Sequence, residues 1–135
     1  MAFATRTLRD DTVADQGVIG ATSGGTVVVH LDHSADSATS VALDASALSG
    51  HANGAKLNIT RAWWGLSGSV EIQFKGASSD THAIRLAGTG SYTAGPAIQN
   101  GATNTTATSG DLETVAAAAT GFIILELRKD ANFTA

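Results

Sequence analysis

Beyond residue 24 the chain alternates apolar and polar residues with period two, the pattern of strands that bury one face. Residues 25–32 set Val27, Val29 and Leu31 against Val28, His30 and Asp32. Residues 40–48 place Val41 and Leu43 on one side and then run into 49–54, dense in turn-forming residues. Residues 56–64 put Leu57, Ile59, Arg61 and Trp63 opposite Asn58, Thr60, Ala62 and Trp64. A Gly-bounded turn at 65–68 then leads to Val70, Ile72 and Phe74, so 55–75 reads as a β-hairpin at the centre of the fold. Shorter strands are expected at 83–87 and around 97–99, with a Gly-containing loop at 88–95 between them. Residues 100–110, a Thr/Asn/Gly/Ser run, read as an exposed loop. A short strand is expected at 112–115, a helical turn or small-residue loop at 116–120, and a closing strand at 122–129 that alternates Ile123, Leu125 and Leu127 with Ile124, Glu126 and Arg128.

Roughly seven to nine short strands without an amphipathic helix predict an all-β, single-domain antiparallel β-sandwich or jelly-roll-like fold. Residues 1–24 alternate poorly and carry charge or glycine, so they read as an N-terminal arm, with the sandwich domain over 25–135. The arm is expected to be disordered in the isolated protein and to become ordered on a partner.

Composition narrows the function classes. The 135 residues fit one domain, a size that hides about two-thirds of the unfolded surface. Cysteine is absent, which excludes disulfides, thiolate metal sites and a Cys nucleophile. A formal net charge of −4 with 15% charged residues argues against a nucleic-acid surface. The N-terminus has no apolar leader pattern and no stretch reaches the length of a membrane span, so the chain reads as soluble, leaderless and without a membrane partner.

Candidate chemistry is sparse. His30 and Asp32 share one strand face while His33 falls on the other, and His51 and His82 have no carboxylate or Ser at motif spacing, so neither a metal nor a catalytic site is assigned. Residues 65–69 (Gly-Leu-Ser-Gly-Ser) fail as a nucleophile elbow, and Gly88-Thr89-Gly90 lacks the Lys and helix of a phosphate cradle, so no cofactor is expected. Asp10, Asp11 and Asp15 do not have the spacing of a calcium loop. Two carboxylates held at the right distance could run glycoside hydrolysis, and Glu71, Glu113 and Glu126 are all expected on strands, but Glu71 and Glu126 alternate with core positions and read as a solvated strand face.

Trp63 and Trp64 are adjacent, so in a strand their rings face opposite sides. Either the outward ring packs under a loop or neighbouring layer, or it is an interface anchor or sugar-stacking platform. Arg6 and Arg9 carry the same ambiguity between solvated tail charges and donors to an acidic partner surface. Arg6, Arg9, Trp63 and Trp64 are therefore the candidate partner-contact residues.

The run from Trp64 to Gly76 (WGLSGSVEIQFKG), with Ile84-Arg85-Leu86-Ala87-Gly88-Thr89-Gly90, Ser109-Gly110-Asp111-Leu112 and the ending Phe122-Ile123-Ile124-Leu125-Glu126-Leu127-Arg128-Lys129, resembles small virion structural proteins of marine tailed phages. The resemblance covers about residues 56–129. It implies a β-sandwich that decorates or cements the head, bound to the major capsid protein at contacts between its subunits, made in the host cytoplasm and ending on the capsid surface. It carries no catalytic residue over. A homo-oligomer, taken as a trimer, is the expected state, because shell components follow closed symmetry. The competing reading is a carbohydrate-binding β-sandwich of a tail fibre or adhesion module, with Trp63 or Trp64 and Tyr92 as stacking platforms. A small enzyme using Glu71 or Glu126 ranks third.

Overall fold

A computed structural model describes residues 3–11, 25–49, 51–76, 80–100 and 111–133, without the side chains of 46, 51–55 and 130–133. Its elements are β1 (Phe3–Asp10), β2 (Thr26–Asp36), β3 (Thr39–Leu43), a 3₁₀ turn (Ala45–Ala47), β4 (His51–Phe74), β5 (Thr81–Tyr92) and β6 (Leu112–Phe133). All six strands belong to one antiparallel sheet in the order β1-β2-β6-β4-β5, with β3 paired to β6 beside β2. The all-β, single-domain reading is correct.

Two long strands replace the hairpin and the helical turn or loop read from the sequence. Residues 65–68 do not turn the chain back, because β4 runs unbroken for 24 residues and pairs with β6 along most of its length. Likewise 116–120 is neither helix nor loop but the middle of the 22-residue β6, and β5 continues through the expected loop as far as Tyr92. Glycines and small residues at these places signal a bend within a strand as readily as a reversal.

The bends line up across the sheet. Register breaks fall between His33 and Asp36 on β2, Ser67 and Ser69 on β4 against β6, and Leu66 and Ser69 on β4 against β5. Positive φ angles sit at the same level, at Ala35 (47°), Gly68 (77°), Gly88 (64°), Ala118 (48°) and Gly121 (137°). A Cβ on Gly68 would lie 2.2 Å from the Ala118 carbonyl oxygen, and one on Gly121 would lie 2.0 Å from that of Gly65, so β4 and β6 cross this line in close backbone contact. The hydroxyls of Ser37 and Thr120 accept bonds from the Ala118 and Ala35 amides there, satisfying groups that the broken ladder leaves unpaired.

Along this line the sheet folds over on itself. One layer holds β1, β2 and the adjoining halves of β4, β5 and β6, and the other holds β3 and the remaining halves. Inward residues of both layers, among them Val27, Leu31, Ile59, Ile72, Leu86, Leu112, Ile123 and Leu127, are fully buried in one shared core. The open edges meet where the Thr5 hydroxyl donates to the Ala42 carbonyl (2.9 Å). Corners made by bulged strands are a general way to build two layers from continuous strands.

Local shifts also correct two face assignments. A register break between Ile59 and Arg61 turns Arg61 and Trp63 outward and brings Ala62 into the core, although Leu57, Ile59, Arg61 and Trp63 were expected on one side. A break between Val41 and Leu43 leaves Val41 exposed and buries Ala42 and Leu43. Part of the segment read as an arm is corrected as well. Phe3–Asp10 pairs with β2 of the same chain as the edge strand β1, and alternation was absent because its residues Ala4 to Arg9 are all exposed. Residues 12–24, and the expected loop at 101–110, lie outside the described residues. Residues 97–99 contribute only an isolated bridge, Ile98 to Ile59.

Candidate functional site

Directly opposed residues in an antiparallel sheet point to the same side, so the register fixes what the outer face of the first layer presents. One row reads Arg6, His30, Ile124, Trp63 and Ser91 across five strands. The row on one side reads Ala4, Asp32, Phe122, Gly65 and Thr89, and the row on the other reads Arg9, Val28, Glu126 and Arg61. Three of the four residues singled out from the sequence, Arg6, Arg9 and Trp63, thus share one face.

The centre of that face is apolar and aromatic. Phe122 is 40% exposed and its ring stacks parallel to His30, at an interplanar angle of 5° and a centroid distance of 6.5 Å. The ring lies over Gly65, where an added Cβ would come within 2.9 Å of it, so the glycine provides a flat seat. Trp63 and Ile124 complete the strip, both partly exposed.

Arginine surrounds the strip. Four of the five arginines in the chain, Arg6, Arg9, Arg61 and Arg128, are on this face, against two acids among the described residues, Asp32 and Glu126. Arg61 pairs with Glu126 (3.3 Å), and Arg9 with Asp11 just beyond the end of β1. The Arg9 guanidinium is held above its usual value first by the hydrogen bond and then by the charge of Asp11. The described residues of this face therefore carry net positive charge in a chain whose formal charge is −4.

Trp64 does not join the strip. Its ring packs against the core and over Gly90, and its indole nitrogen donates to the Ala87 carbonyl at 3.1 Å. Tyr92 is similarly engaged, with its ring against the core and its hydroxyl donating to the Pro96 carbonyl. Of the three rings named as sugar platforms, Trp63 alone stands on the open face.

The remaining candidates are occupied by structural contacts. Glu71 receives His82 and Arg85 on the outer face of the second layer, and its carboxyl is held below the usual range, chiefly by the His82 bond. Glu113 pairs with Lys75 (3.0 Å), which keeps the Lys75 ammonium raised. His33 is buried away from His30, bonded through Nδ1 to Asp36 Oδ2 at 2.9 Å and lying under the ring of Phe3. The structure describes no His51 side chain.

Sequence reasoning missed the Phe122–His30 stack and Lys129. The latter has no solvent exposure, and its ammonium donates to Asp10 Oδ1 (2.6 Å), the Asp11 carbonyl (2.8 Å), and the carbonyl (2.9 Å) and hydroxyl (3.0 Å) of Ser49. Its place in the period-two pattern carried the signal, because Lys129 follows Ile123, Leu125 and Leu127 on the inward side. Comparison with protein-family models, with curated proteins and with solved structures finds no match to this chain.

Proposed function

We propose that this chain is a capsid decoration (cement) protein that binds the outer surface of a tailed-phage head through the outer face of its first layer and stabilises contacts between major capsid subunits. The observation that carries the reading is the row Arg6, His30, Ile124 and Trp63, an aromatic strip ringed by arginines on an otherwise acidic chain. Protein interfaces concentrate aromatic residues and arginine at their centres, and tryptophan and arginine lead among residues whose truncation abolishes binding. The sequence resemblance to small virion structural proteins supplies the partner, and the excess of arginine suits an acidic patch on it.

Glycan binding is the second reading, and Trp63 with the Phe122–His30 pair favours it as a flat aromatic platform. The engagement of Trp64 and Tyr92 leaves it fewer rings than the sequence offered.

Co-sedimentation of the purified protein with phage heads that lack it separates the two. A cement protein binds at a fixed ratio to capsid subunits, loses binding in Trp63→Ala and Arg6→Ala, and shows no saturable glycan binding. Saturable glycan binding lost in Trp63→Ala, with no binding to heads, establishes the second reading instead.

A further inference from the structure

We propose that, under the docking reading above, the outer face of the first layer selects and orients its partner through three charges that the chain leaves unpaired: Arg6, Arg128 and Asp32. The matching capsid surface then carries carboxylates opposite the two arginines and a cation opposite Asp32. All three side chains are exposed. Among the described residues none of them forms an ion pair or a hydrogen bond.

The other charges of this face are engaged within the chain. Arg9 Nε donates to Asp11 Oδ2 at 2.8 Å, and Arg61 Nε lies 3.3 Å from Glu126 Oε2. Glu126 also accepts from the Thr60 hydroxyl. An arginine held in this way must give up its own carboxylate before it takes one from a partner, so the swap gains little. An unpaired, exposed arginine keeps its fork of donors open and is more weakly hydrated than an ammonium. A partner carboxylate can therefore take it bidentately at small cost.

Register places the three charges around the aromatic strip. Arg6 is directly opposed to His30, in the row that runs on to Ile124 and Trp63. Arg128 lies four residues beyond Ile124 on β6, opposite Thr26 and Asn58. Strand spacing and rise put its Cα about 16 Å from that of Arg6. Asp32 lies in the other direction, two residues from His30 and opposed to Phe122, with its Cα about 8 Å from that of Arg6. The unpaired charge thus runs from negative beside Phe122 to positive at Arg128. A uniformly acidic partner gains from both arginines and is repelled by Asp32. A partner with a matching cation gains from all three and fits in one direction only.

Phage heads that lack the protein are titrated with full-length variants at low and at high salt, and bound protein is measured by co-sedimentation. Arg6→Gln and Arg128→Gln are each expected to weaken binding by about tenfold and to flatten its salt dependence. Asp32→Asn is expected to weaken it by about fivefold, and Arg9→Gln and Arg61→Gln to change it by less than about twofold. Because none of the three unpaired side chains is bonded within the described chain, their variants keep the wild-type unfolding midpoint. Equal losses in all four arginine variants, or no loss in Arg6→Gln and Arg128→Gln, overturn the three-charge pattern while wild-type binding keeps the docking face. Tighter binding by Asp32→Asn overturns it as well, because the partner is then uniformly acidic. Wild-type protein that does not sediment with heads overturns the docking reading itself, and the pattern with it.

Discussion

Asp10 and Lys129 are 119 positions apart, and their side chains meet at 2.6 Å, with the ammonium sealed from solvent. The contact joins the end of the edge strand to the inward face of the last strand. Ser49 joins through its backbone and hydroxyl, so one ammonium ties three distant parts of the chain together.

Removing the carboxylate is therefore expected to cost more than removing the cation. Asp10→Ala takes a carboxylate away from a fully buried ammonium and lowers the unfolding free energy by about 3 kcal/mol. Lys129→Met leaves Asp10, which is partly exposed and still bonded to Ser49, and costs about 1 kcal/mol. Urea unfolding of the two variants checks the order, and equal losses would show that the ammonium is not held by Asp10.

The same contact sets an acid dependence. Burial pushes the Asp10 carboxyl up, but the bonds from Lys129 and Ser49 outweigh it and bring the group below its ordinary value of 3.8. Glu71 is lowered from 4.5, chiefly by His82. A carboxyl whose folded value is depressed adds stability above its unfolded value and loses it as pH falls through the folded one. Urea midpoints are thus expected to fall between about pH 5 and pH 3, and to fall less in Asp10→Asn. An identical slope in that variant would remove Asp10 from the account.

Glycine substitutions separate strain from crowding along the fold line. Gly88→Ala meets a positive φ but open space, so it costs about 1–2 kcal/mol. Gly68→Ala and Gly121→Ala meet a positive φ and a carbonyl oxygen at 2.2 Å and 2.0 Å, so each is expected to cost more than about 3 kcal/mol. Thermal unfolding of the three variants tests the ranking, which fails if Gly88→Ala is the most damaging.

The adjacent tryptophans should divide stability from binding. Trp64→Ala removes a ring packed on the core and a hydrogen bond, at about 3 kcal/mol. Trp63→Ala, on the outer face, costs under about 1 kcal/mol. Chemical unfolding monitored by circular dichroism measures both, and the assignment of faces is wrong if Trp63→Ala is the costlier change.

The sequence by itself determined the strand character of the chain and much of its inward face. Val27, Val29 and Leu31 and then Ile123, Leu125 and Leu127 alternate as read and are buried, because a side chain in a strand has only two directions to point. The opposition of Trp63 and Trp64 followed from the same geometry. Only the tertiary structure decided where strands bend and where they turn back. Residues 65–68 and 116–120 have the composition of turns, and pairing of β4 with β6 through both segments made them the crease of a folded sheet. It also decided that Phe3–Asp10 is an edge strand, since backbone bonds, the Thr5 hydroxyl on the Ala42 carbonyl and two anchored ends hold it without a burial pattern. The arginine-ringed aromatic face is of the same kind: Arg6, His30, Ile124 and Trp63 are scattered over 119 positions, and the register of four strands alone sets them in one row.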